Sequence, residues 1–113
     1  MLGINKALEE RYLNVEKDAK EIVLLTKMIE EAGEFTGEIS GMICEMAGEK
    51  VGSWKGKEKN YRQEMLHEWM DLYRLMHVWL ELFATEEEKE EMWKLNEEKI
   101  TKFVERKEKE MRG

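Results

Sequence analysis

Apolar positions along this chain recur every three to four residues, the step of an α-helix, and capping residues divide them into four helices. Asn5 is placed to cap a short helix to about Leu13. Asn14 then interrupts, and a long second helix is expected from about Glu16 to Ala47, ended by Gly48. Residues 48–60 carry Gly48, Gly52 and Gly56 without periodicity and read as the one substantial loop. Asn60 with Gln63 resembles a capping box opening a third helix through Phe83. Thr85 with Glu88 opens a last helix with Trp93, Ile100, Phe103, Val104 and Met111 on one stripe, fraying near Gly113. The pattern predicts a single all-α domain over residues 1–113, an antiparallel four-helix bundle whose long second and third helices face each other across the core.

Composition narrows the class. With 113 residues, 42% hydrophobic and 40% charged, and no proline, the chain has enough apolar surface for one helical core. No run approaches the roughly twenty apolar residues of a membrane span, and Met1 to Lys6 lack the layout of a signal peptide, so a cytoplasmic protein is expected. Cys44 is the sole cysteine; with no histidine near it in sequence, it reads as a small apolar filler. The net charge of −7, with lysines and glutamates intermixed, leaves no basic stripe for a nucleic-acid polymer. It does not disfavour a small phosphate compound carried into a carboxylate site by divalent metal.

The candidate chemistry lies in two acid pairs of spacing three, Glu31 with Glu34 and Glu68 with Asp71. Spacing alone says little: 26 acids in 113 residues give roughly six such pairs by chance. Location decides. At about 100° per residue, Glu68, Asp71 and Glu64 fall in the sector of Leu75, Val78, Trp79 and Leu82, whereas Gln63, His67, Arg74 and Glu81 mark the solvated side. Glu31, Glu34 and Glu38 fall within about 60° of one another, bordering Leu24, Met28, Phe35, Ile39, Met42 and Met46. A carboxylate buried beside an apolar face costs several kcal/mol unless neutralised, paired or metal-bound, and neighbouring cations are too few for four acids. Gly33, Gly37 and Gly41 add a ridge on the second helix, read either as close helix packing or as backbone that a ligand approaches.

The run Lys27-Met28-Ile29-Glu30-Glu31-Ala32-Gly33-Glu34, followed by Glu68-Trp69-Met70-Asp71-Leu72-Tyr73, resembles the E-E-x-x-E and E-x-x-D motifs of the MazG-like, all-α nucleoside triphosphate pyrophosphohydrolases. The likeness spans about residues 20 to 106. It implies Mg²⁺, with Mn²⁺ able to substitute, held by Glu31, Glu34, Glu68 and Asp71, and hydrolysis of a nucleoside triphosphate to monophosphate and pyrophosphate. Glu30 points about 100° from Glu31 and reads as an outer or surface acid. The family's last helix usually carries a pattern like K-x-x-x-N-x-x-R. One register sets Asn96 on the amide and Lys99 on the final cation, with Met92 replacing the lysine; the other keeps Lys99 and Arg106 but sets Phe103 on the amide. The Asn96 register is preferred, because Phe103 belongs to the apolar stripe. Lys99 and Arg106 share a face and are candidate phosphate contacts, as is Lys55 with Lys57 beside it; Trp54 is a candidate base-stacking residue. Glu34 and Glu38 are the candidate general bases, and Lys27 flanks the acidic sector.

Other residues read more plainly. Trp69 and Trp79 lie on apolar faces and are expected in the core or at a subunit contact; His77 is expected at a surface or interface. Glu64 with His67 has di-iron spacing, but such sites need two copies of that motif. A non-catalytic metal or di-iron bundle and a helical adaptor are the competing classes. The third helix is apolar over most of its circumference, from Leu66 to Phe83, which predicts a homodimer or tetramer.

Overall fold

A computed structural model of the chain describes residues 3–48 and 60–113, and among them it is all-α, with helices α1 (Lys6–Glu16), α2 (Glu21–Met46), α3 (Tyr61–Phe83) and α4 (Glu86–Arg112) and no strand. No helix among the described residues is long and apolar enough to cross a membrane.

The caps account for most boundaries. Asn5 Oδ1 accepts from the Leu8 amide at 2.8 Å and starts α1. Asn14 does not interrupt it: asparagine costs a helix interior well under about 1 kcal/mol, and α1 continues to Glu16. The break falls instead at residues 17–20, so α2 begins at Glu21 rather than Glu16, from an extended Lys20 that makes no side-chain cap. Packing places this break, since α1 must leave the line of α2 to set Glu9 and Tyr12 against α3. Gly48, at φ +76°, ends α2 as its sequence predicts, its amide donating to the Glu45 carbonyl at 3.0 Å. Asn60 Oδ1 accepts from the Gln63 amide at 3.0 Å at the head of α3. Before α4, Thr85 Oγ1 accepts from the Glu88 amide at 3.1 Å while Glu88 Oε1 accepts from the Thr85 amide at 2.8 Å, the reciprocal box expected there.

The chain divides into two compact units, Met1–Leu82 and Phe83–Gly113. In the first, α2 and α3 run antiparallel, because contacts pair the end of one with the start of the other. Glu21 Oε1 accepts from the Trp79 indole at 3.3 Å, and Gly41 lies against the Tyr61 ring. Glu31 meets Glu68 between them. Helix α1 lies on α3 through His77 Nε2 and Glu9 Oε1, 2.7 Å apart, and Tyr12 stands near enough to Arg74 for each to shift the other's ionisation. His77 is therefore a half-buried tie between helices rather than a surface group. Trp69 stacks on Tyr73 at 5.2 Å and remains 46% exposed, so it is not core. Among the described large apolar side chains, Leu24 and Val78 are fully buried. In the second unit, no residue of α4 is buried.

The glycine ridge packs at one place only. A Cβ on Gly41 would collide with the Tyr61 ring, whereas at Gly33 and Gly37 nothing lies within 4 Å of the position a Cβ would take. Close packing over the whole ridge is thus corrected to close packing at its last member.

Candidate metal centre

The antiparallel pairing of α2 with α3 carries the two acid pairs to the same level. Spacing three keeps Glu31 and Glu34 on one face of α2 and Glu68 and Asp71 on one face of α3, so the pairing sets all four in one neighbourhood. One carboxylate oxygen from each of Glu31, Glu68 and Asp71 lies within 4.8 Å of the others, and all three residues are half-buried. Glu34 is more exposed and directs its carboxylate to Glu68.

Glu68 carries the electrostatic consequence. Burial first, then the facing carboxylates of Glu31 and Glu34, push it up from 4.5 to about 7. Both effects disfavour the ionised form. Glu31 Oε2 and Glu68 Oε2 are moreover shielded from solvent and have no hydrogen-bond partner. A carboxylate oxygen so placed is costly unless a proton or a cation completes it.

The residues fit a small divalent cation. Around Mg²⁺, neighbouring oxygens stand about 3 Å apart and opposed ones about 4.2 Å, so a trio within 4.8 Å of one another must draw together to close on the ion. The donor set is entirely oxygen, as hard cations require. Among the described residues, this trio is the group of His, Cys, Asp and Glu placed to hold an ion; Glu64 with His67 is not part of it.

Arg74, expected on the solvated side, is instead bonded to the cluster: its Nη2 donates to Asp71 Oδ1 at 2.9 Å. Burial lowers the tendency of its guanidinium to stay charged, but Asp71 and the Tyr12 hydroxyl outweigh it and the net shift is upward. The Tyr12 phenol is pushed up, chiefly by burial and by Glu16, against the pull of Arg74. The i, i+3 spacing of Asp71 and Arg74 is a sequence signal that helix geometry makes readable. Tyr12 gives none, since only the docking of α1 brings it there.

Glu38 sits one turn beyond Glu34, half-buried, with Oε2 shielded from solvent, outside the trio. Lys27 is exposed. Asn96, Lys99 and Arg106 are exposed residues of the second unit. Asn96 and Lys99 share an open face with Met92 and Leu95, and the Arg106 guanidinium lies 5.5 Å over the Phe103 ring. Trp54, Lys55 and Lys57 lie outside the described residues. Compared with protein-family models, characterised proteins and solved structures, the chain matches none.

Proposed function

We propose that this protein is a Mg²⁺-dependent nucleoside triphosphate pyrophosphohydrolase of the MazG-like kind, acting in the cytoplasm as a nucleotide-pool house-cleaning enzyme. One observation carries the reading: two acid pairs, far apart in sequence and spaced as in that family, meet across an antiparallel helix pair with shielded carboxylate oxygens that have no hydrogen-bond partner. A solvated charge face has no reason to converge or to shield such oxygens.

Glu31, Glu34, Glu68 and Asp71 would hold the ion. When bound, Mg²⁺ or Mn²⁺ neutralises the triphosphate and acidifies water, which carboxylates alone cannot do for an anionic substrate. Glu34 or Glu38 takes the proton as a water oxygen attacks the α-phosphorus. The α–β anhydride then breaks, leaving a nucleoside monophosphate and pyrophosphate. Lys99, Arg106 and Lys55 are assigned to the phosphates, and Asn96 and Trp54 to the nucleoside, on the family likeness.

The working form is proposed to be a homodimer or tetramer. Ile22 and Ile29 on α2 stand 70% and 74% exposed, and Leu66 and Trp69 on α3 stand 50% and 46% exposed, against a core of Leu24 and Val78. Light scattering should return a multiple of 13.6 kDa.

The test is a panel of nucleoside triphosphates incubated with the protein and Mg²⁺, with phosphorus NMR of the products. Monophosphate and pyrophosphate, abolished by EDTA, are expected. Orthophosphate with diphosphate would place cleavage at the wrong bond, and no turnover across the panel would leave the adaptor reading in its place.

A further inference from the structure

The apolar stripe of α4 has no part in the carboxylate site. At about 100° per residue, Trp93, Ile100, Phe103, Val104 and Met111 fall within about 100° of one another on a helix of 27 residues, roughly 40 Å long. None is buried: Trp93 is 61%, Phe103 53% and Met111 86% exposed. An apolar face of that length is one that another element covers. Charge says which. Residues 86–98 carry seven acids against Lys89 and Lys94, a net −5, whereas residues 99–112 carry six cations against Glu105, Glu108 and Glu110, a net +3. The helix dipole favours such an order only within the terminal turns, at Glu86, Glu87 and Glu88 and at Lys109 and Arg112. Here the sign changes at mid-helix, where Glu97 and Glu98 give way to Lys99 and Lys102.

We infer that α4 pairs antiparallel with α4 of a second copy of this chain, with this stripe as the seam. A helix whose two halves are opposite in charge is complementary to its own reversed copy: the acidic half of each lies along the basic half of the other, and a twofold axis through the middle repeats the contact. Parallel pairing would set like halves together, and the charges flanking an apolar seam decide its orientation. Between Trp93 and Met111, the polar residues within the stripe are Asn96 and Lys107. Asn96 therefore faces the second copy, where this pairing and the nucleoside contact assigned to it compete for one amide. Lys99 and Arg106 stand about 100–120° from Ile100 and stay off the seam. The pairing depends neither on the metal site nor on the exposed apolar residues of α2 and α3, on which the proposed oligomer rests.

The experiment is sedimentation of the full chain across micromolar concentrations for wild type, Phe103→Glu and Ile100→Glu, with circular dichroism to show that each is folded. Either substitution sets a charge on the seam and should weaken association at least about tenfold. Orientation is read by pulsed electron paramagnetic resonance between spin labels on Lys109→Cys, in a chain carrying Cys44→Ala. Lys109 lies ten residues from Lys99 at the middle of α4, so antiparallel copies set the two labels about 30 Å apart along the axis and more than that in all. Parallel pairing would leave only the interaxial spacing of about 10 Å and the label arms, about 25 Å or less. The long distance is expected, and the short one overturns the antiparallel seam. A wild type that stays monomeric overturns the pairing and the proposed oligomer together. Association that both variants keep at wild-type strength overturns the pairing while leaving the α2–α3 surface as the interface; the metal site stands in every case.

Discussion

Glu31 on α2 and Glu68 on α3 turn their carboxylates toward each other across an antiparallel helix pair, each with an Oε2 atom shielded from water and without a hydrogen-bond partner. Two like charges in that position oppose folding unless a proton or a cation intervenes. On the proposed function, stability, metal binding and catalysis would be tied to the same few atoms.

A proton is the first way to relieve them. Glu68 is raised from 4.5 to about 7, so the folded state binds a proton that the unfolded chain releases at lower pH. This stabilising contribution is fully present below about pH 4.5 and is lost as pH rises through about 7. In EDTA, the melting temperature should fall between about pH 5 and about pH 8. Glu68→Gln should flatten that slope, and thermal melts across the range check it. An equal slope in the variant would assign the pH dependence to other groups.

The glycines separate packing from open surface. Gly41→Ala forces a methyl group into the Tyr61 ring and should destabilise by about 1–3 kcal/mol, the scale of overpacking. Gly37→Ala meets nothing within 4 Å and should be neutral or stabilise by up to about 1 kcal/mol through helix propensity. Urea melts at high dilution compare the two. A marked loss in Gly37→Ala that appears only at high protein concentration would show a second copy seated on that face.

On α4, Asn96→Ala distinguishes the two registers of the nucleotide-binding pattern. Asn96 is exposed, so stability should hold within about 0.5 kcal/mol, while kcat/KM should fall about tenfold if its amide touches the nucleotide. Steady-state kinetics decide, and unchanged kinetics move the assignment to Lys99 with Arg106.

Sequence periodicity reached the helices and the carboxylates because both are local problems. The Thr85–Glu88 box, the Gly48 stop and the two acid pairs each rest on spacings of four residues or fewer; the box and the stop stand where the pattern put them, and Glu31, Glu68 and Asp71 converge, whereas Glu34 is exposed and outside that trio. The break at residues 17–20 was hard to read, because no glycine or proline marks it and Lys20, at the head of α2, makes no side-chain cap; Asp18 is the one capping type within it. The Glu9–His77 pair, whose partners are 68 residues apart, and the nearness of Tyr12 to Arg74 were not legible. The periodicity that placed Arg74 on the solvated stripe gave its direction on the helix but not its partners: α1 covers part of that stripe. The Gly33–Gly37–Gly41 ridge shows the same limit, since the repeat is local and what lies against it is not.

The central claim is that the converging carboxylates bind a divalent cation and use it. The most direct measurement is the melting temperature of wild type, Glu34→Gln and Asp71→Asn with and without saturating Mn²⁺. Without metal, each variant should be as stable as wild type or more so, because one of several repelling charges is gone. With Mn²⁺ the wild type should gain stability by mass action, rising as the ion exceeds its dissociation constant, and each variant should lose most of that gain. A wild-type melting temperature that Mn²⁺ does not move, or variants that gain as much as wild type, would contradict the account.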